Sequence, residues 1–438
     1  DLKPPFLGEM EKDRRVVITG RGVVSPLGVG LSRHSEGLLA GRSAISKCKK
    51  LKSLDVPSAI AGQIPEEEFE QSARLIPRKQ RKLMNRATVL AAVASCLASE
   101  EAGIGNARID QTRLGVIFAT WFTSYDLPSF VRYLGETESE QGPYRMNAER
   151  ANRRWMESMN PVDYSLKVLP NLAAAHLAIL HQAQGYSRLL ADGWRGGLLA
   201  VAQAAETIRH GELDMALAGG AEAPLEGGVV CDLSGLEVMA KDGEDHDRIC
   251  RPFDVRRSGL VLGEGAAVVV LEERDHALER GATIHGEVAG SASVASSRGG
   301  KGEDSLSRSM KKALGDAGVS LEDVDVIHAN GDSTYENDRA EWLAIRRVFG
   351  EKASHLPVVA TKSLHGHLLS AAGAVELVSS LMMLERGVIP PIANYDRPDP
   401  ECDLDLVQGL PRKTPGIKSV ILNAVGLFGE AASLVVLR

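Results

Sequence analysis

Aromatic side chains are scarce in this chain, at 4 % of 438 residues, with four tryptophans, seven tyrosines and eight phenylalanines. The five cysteines (Cys48, Cys96, Cys231, Cys250, Cys402) are scattered and lack C-x-x-C spacing. That argues against a zinc site and a disulfide framework and for a reducing compartment, so a cytoplasmic location is expected. No run of 18 apolar residues occurs, which excludes an ordinary transmembrane helix, and no secretory h-region is visible. A large charge excess is also lacking. The net charge of −7 is spread along the chain and gives no reason to expect nucleic acid or an anionic membrane as partner. A G-x-G-x-x-G loop opening a helix is missing, so dinucleotide binding has no support. No cofactor and no metal are expected.

What is present reads as an α/β protein. With 44 % apolar and 25 % charged residues, a chain of this length buries a large core and suggests two or three domains. Residues 1–13 are polar, with paired prolines, and are expected to be a loose tail. Arg14 to Thr19 reads as a buried strand turned by Gly20-Arg21-Gly22, residues 79–103 as an alanine-rich helix, and Leu114 to Thr120 as another buried strand. Residues 121–168 concentrate aromatics (Trp121, Phe122, Tyr125, Phe130, Tyr133) and then turn highly charged, so they are expected to be an irregular insertion. The Gly/Ser-rich stretch within 274–300 suggests a boundary between an N-terminal half, 14–273, and a C-terminal half, 274–438.

The centre of the pattern is Gly185 to Pro224. Ser187 to Ala191 is a short strand, Asp192-Gly193 a turn, and Gly196-Gly197 permit close backbone packing. Leu198, Leu199, Val201, Ala202, Ala205 and Ile208 recur at helical spacing, which predicts a helix from about Arg195 to His210. A second strand begins at Met215. The tip of such an elbow lies at a helix N-terminus, where free N–H groups gather and enzymes place a nucleophile. The residue there is Trp194, which cannot attack anything.

This stretch resembles the nucleophile region of the β-ketoacyl-acyl-carrier-protein synthases. Ala218-Gly219-Gly220-Ala221-Glu222 matches the family's strand in full, and Trp194 stands where the family has its cysteine. RRVVITGRGVVSPLG resembles the family's opening strand. Ala329-Asn330-Gly331-Asp332-Ser333-Thr334 stands where the family writes Ala-His-Gly-Thr-Ser-Thr. Asn330 thus replaces the histidine that would help decarboxylate the malonyl extender; it keeps a side-chain N–H donor but cannot shuttle a proton. Asp332 adds a negative charge that would oppose an enolate. Thr361-Lys362-Ser363-Leu364-His365-Gly366-His367 matches the second histidine motif, with Lys362 and His367 in place. Ala424-Val425-Gly426-Leu427-Phe428-Gly429-Glu430 replaces the gating loop, with Leu427 at the gating phenylalanine and Phe428 at a glycine.

The resemblance covers about Arg14 to Arg438. It implies a thiolase-like fold, two similar α/β halves in a five-layered α-β-α-β-α core, and a dimer in which the strand holding Leu189 and Leu190 pairs across the two-fold axis. It implies that Trp121 and Phe122 occupy places lining the far end of an acyl tunnel. The scaffold motifs match while the chemical ones fail together. No catalytic residue is expected, Lys362 and His367 being retained in a structural role. The chain then resembles a chain-length factor, a subunit that pairs with an active ketosynthase, receives substrates on acyl carrier protein and shapes the tunnel of a type II polyketide synthase. Three other readings stay open: an independent decarboxylase or acyltransferase using His367, a purely structural or carrier-protein docking subunit, and a synthase whose nucleophile is another cysteine, Cys231 being nearest in sequence. A His365/His367 metal pair lacks further ligands nearby.

Overall fold

The computed structural model describes residues 14–52, 58–106, 109–122, 127–138, 145–158, 167–241, 248–295 and 302–438; the expected tail lies outside them. Its main sheet has 12 strands and contains the same five-strand pattern twice. In the first half these are β1 (Val16–Ser25), β2 (Leu114–Ala119), β3 (Ser187–Leu190), β4 (Met215–Glu222) and β5 (Gly265–Glu273), lying in the order β3-β2-β4-β5-β1. The second half has β6 (Gly286–Val294), β7 (Val326–His328), β8 (Pro357–Val359), a short edge strand β9 (Asp405–Leu406), β10 (Ser419–Val425) and β11 (Ala431–Leu437). Its order, β8-β7-β10-β11-β6, repeats the first. Directions repeat as well. β2 runs parallel to β3 and β4, as β7 does to β8 and β10, the other neighbours within the two patterns are antiparallel, and the edge strand β9 runs parallel to β8. The halves join where Val17 and Ile18 of β1 pair with Glu287 and Gly286 of β6.

Helices complete five layers. Helix α1 (Arg86–Glu101) covers the first sheet from outside, α2 (Gly196–Arg209) and α5 (Ala372–Arg386) lie between the sheets, and α3 (Gly302–Ala317) with α4 (Tyr335–Phe349) cover the second. Each helical layer has its own apolar cluster, the central one built on Leu198, Val201, Val375 and Leu381. Among the described residues, no helix is long and apolar enough to cross a membrane.

Three local expectations are corrected. Gly20 and Gly22 do not turn β1, which runs on to Ser25 with a register shift after Ile18. The glycines are needed because α1 lies against the strand: a Cβ would come within 2.2 Å of Ala98 O at Gly20 and 1.9 Å of Ala94 O at Gly22. The helix expected over 79–103 is two, Arg78–Arg81 and α1, because Asn85 caps α1 by accepting from Thr88 N at 2.8 Å. The stretch expected to be irregular contains helices Leu127–Thr137 and Ala148–Ser158, which pack together with Tyr133 edge-on to Trp155 at 5.6 Å. Residues 123–126, 139–144 and 159–166 of that stretch, Tyr125 included, lie outside the described residues.

Candidate functional site

Parallel strands bring their C-terminal ends to one edge, where open α/β sheets usually carry their sites. Ala119, Leu190 and Glu222 end the first set, and His328, Val359 and Val425 end the second. The loops beyond them hold Trp121, Trp194, Asn330, Lys362 and Leu427, so residues hundreds of positions apart converge between the halves.

The elbow forms as expected. Trp194 sits in a single turn, Gly193–Arg195, at the mouth of α2. The glycines after it let α2 meet the turn Leu369–Ala371 of the other half: a Cβ on Gly196 would stand 2.3 Å from Ser370 Oγ, and one on Gly197 2.6 Å from Ser370 O. The Trp194 indole is buried, with its ring 4.8 Å from that of His367 at an interplanar angle of 59°. It lies in an apolar cluster with Leu225, Val230, Leu260 and Leu369, and Trp121, Phe122 and Leu427 pack against that cluster. Three sequence-predicted positions, the lost nucleophile, the tunnel pair and the gate, therefore touch one apolar body. Trp121 and Phe122 also contact each other, centroids 4.4 Å apart.

Facing this apolar wall is a buried polar one. Lys362 Nζ donates to Glu376 Oε1 at 2.6 Å, to Asn330 O at 2.6 Å and to Asn330 Oδ1 at 3.3 Å. Burial pushes the Glu376 carboxyl up, and the Lys362 ammonium pulls it back. Asn330 Oδ1 also accepts from Val425 N at 3.2 Å, and its Nδ2 donates to Asp332 Oδ2 at 3.1 Å. The side-chain donor that asparagine keeps at this position is thus engaged inside the wall. Asp332 is occupied too. It accepts from Thr334 N at 2.9 Å, Thr334 Oγ1 at 2.7 Å and Asn337 Nδ2 at 2.7 Å, binding the start of α4. Glu341 anchors the same loop through Asn330 N and Gly331 N, each at 2.8 Å, and burial pushes its carboxyl up to about 7.

His367 Nδ1 accepts from Leu369 N at 3.0 Å. Desolvation above all, then Lys362 and His365, holds the ring well below its usual range. The neutral ring carries its proton on Nε2, which, like Trp194 Nε1, has no hydrogen-bond partner among the described residues. His365 is engaged at both nitrogens, Nδ1 with Gly366 O at 2.8 Å and Nε2 with Thr361 Oγ1 at 3.2 Å.

Two expected positions fall differently. Leu427 packs against the apolar cluster, but Phe428 is 75 % exposed, because the loop turns at Gly426, whose N–H donates to Glu430 O at 2.7 Å. With Tyr335, Phe428 lines a surface cleft of about 700 Å³. Cys231 is exposed on the helix Gly227–Gly235, whose Val229, Val230 and Leu233 face the cluster; the cysteine within the cluster is Cys48. Leu189 and Leu190 lie on the edge strand β3, half-buried against the outer and central clusters.

Sequence reasoning met Glu376 and Glu222 only as members of matching stretches and gave neither a role. Both were readable as acids inside apolar stretches, one in AAGAVELV and one closing ALAGGAE. Glu222 is fully buried and accepts from Thr120 Oγ1 at 3.0 Å, Trp121 N at 3.0 Å and Phe122 N at 3.1 Å. Burial pushes its carboxyl up to about 7 against those donors.

The comparisons agree with this architecture. Residues 13–277 match the "Beta-ketoacyl synthase, N-terminal domain" family and residues 283–396 the "Beta-ketoacyl synthase, C-terminal domain" family. Nodulation protein E of Rhizobium leguminosarum bv. trifolii is 35% identical over 415 residues, 92% of this chain and 94% of that protein. A type II polyketide synthase acyl-carrier protein in complex with its ketosynthase, bound to the hexaketide, superposes with a TM-score of 0.82 at 30% identity, covering 98% of this chain and 100% of the matched one. The ishigamide ketosynthase/chain length factor gives 0.80 at 28% identity, with 98% and 100% covered.

Proposed function

The chain belongs to the β-ketoacyl synthase family, and from that premise we propose that it is a subunit without a nucleophile of its own, a chain-length factor that pairs with an active ketosynthase and shapes the acyl tunnel of a type II polyketide synthase. One observation carries this reading: a buried indole, Trp194, stands at the tip of the elbow before α2 and packs on His367. An indole has neither a lone pair nor a leaving proton suited to acyl transfer, and its bulk excludes a thioester. Asn330 holds no proton to move, and its donor is committed to Asp332. The likeness to a ketosynthase/chain length factor pair supports the partner assignment, and the one with a carrier-protein complex supports carrier-bound substrates. The half-exposed edge strand β3 supports a dimer built by strand addition.

Co-expression of this chain, alone tagged, with a neighbouring ketosynthase tests the reading. Native mass spectrometry is expected to give a one-to-one heterodimer that condenses malonyl and acyl carrier proteins, while the chain alone gives no product. Condensation by the chain alone overturns it. The unpartnered His367 Nε2 favours a second reading, decarboxylation of malonyl thioester by the lone chain, for which carbon dioxide release without a partner is the sign.

A further inference from the structure

One carboxylate holds the loop that carries both tunnel aromatics. Glu222 closes β4, where Ala119 pairs with Gly220 across the neighbouring strand. From there its two oxygens reach consecutive donors of the next loop: Oε1 accepts from Thr120 Oγ1 and Phe122 N, Oε2 from Trp121 N. A backbone N–H that donates into such a tether cannot swing, and the side chains of Trp121 and Phe122 leave the same residues. Their positions against Trp194 and Leu427 are therefore set from behind, by a group that lies within the protein and touches no substrate.

We infer that Glu222 is the positioning residue that fixes how far Trp121 and Phe122 close the acyl tunnel, and so a determinant of product length. This rests on the chain-length-factor reading. Geometry favours a carboxylate over its neutral analogue, because Glu222→Gln offers one acceptor oxygen where two are used, whereas Glu222→Ala offers none. Loosening the loop lets the aromatics withdraw and the tunnel lengthen.

Two measurements decide it. In the chain alone, hydrogen exchange at the Trp121 and Phe122 amides is expected to be slow in the wild type, to rise about tenfold or more in Glu222→Ala, and to rise at one of the two amides in Glu222→Gln. In the heterodimer with an active ketosynthase, Glu222→Ala is expected to shift products toward longer chains, in the same direction as Trp121→Ala, and the double variant to add little to either. Thr120→Val, which removes one tether and keeps the carboxylate, serves as the milder variant if Glu222→Ala folds poorly. Unchanged product length in an assembled Glu222→Ala or Thr120→Val heterodimer, while Trp121→Ala does shift it, overturns the role of Glu222. If neither Trp121→Ala nor Phe122→Ala shifts it, the tunnel reading itself has failed and takes the inference with it, and the exchange data then separate the two failures.

Discussion

The two walls of the site have gone different ways. At the elbow, Trp194, Trp121 and Phe122 of the first half and Leu427 of the second belong to one apolar body. On the second-half side, Lys362, Glu376, Asn330, Glu341 and His367 remain a buried polar network. The difference follows from what each loss costs. A thiol exchanged for an indole removes chemistry and leaves a packed core. A charged member removed from the polar wall leaves its partner buried and unpaired.

The comparison breaks most sharply at Lys362. Replacing it as Lys362→Met strands Glu376, and a loss of about 3–5 kcal/mol of stability is expected, read by chemical denaturation. If Lys362→Met is as stable as the parent, the polar wall is not what keeps these residues. Trp194→Cys tests the apolar wall. It restores a thiol, yet no condensation by the lone chain is expected, since Asn330 still moves no proton; removing the ring opens a cavity at a cost of up to about 3–5 kcal/mol. Thioester condensation by that variant would show the two walls to be independent.

Next in size is the response to acid. Behind the polar wall, His34 Nδ1 meets Ser25 Oγ at 2.8 Å and Nε2 meets Ser379 Oγ at 3.0 Å. Burial lowers its pKa from 6.5 to about 4. The folded state therefore binds fewer protons than the unfolded one between those values. The stability held by a neutral His34 is fully present above pH 6.5 and is lost as pH falls toward 4, by up to about 3 kcal/mol. His34→Gln is expected to flatten the pH dependence of unfolding in that window; an unchanged slope would mean that the ring is not held neutral. The smallest effect is expected outside both walls. Phe428 is 75 % exposed, and Phe428→Ser is expected to change stability by no more than about 0.5 kcal/mol, in contrast to a substitution at Leu427, which packs on the cluster.

Much of this was legible from the residues. The elbow strand, turn and helix fell where the spacing of Leu198, Val201 and Ala205 put them, because a 3.6 period records which face is buried. Trp194, Asn330, Lys362 and His367 were each named, and the structure brings them together. What escaped were features set by neighbours distant in sequence. Gly20 and Gly22 read as a turn because a glycine needed for a strand-to-helix approach looks the same as one needed for reversal. Phe428 read as part of the gate because direction at a loop tip is not periodic. That the Asn330 donor is taken up by Asp332 was not readable either, because that contact is set by how the loop folds onto α4.

Local pattern and side-chain chemistry were enough for the α/β architecture and the family, and for naming Trp194 as a side chain that cannot attack, since no fold alters what an indole is. That Trp121, Phe122, Trp194 and Leu427 share one apolar body, and that Glu222 ties the loop after β2, emerges from the packed fold alone. Those contacts join strand ends about 70 to 300 positions apart, and a sheet that pairs its strands out of sequence order sets which ends meet.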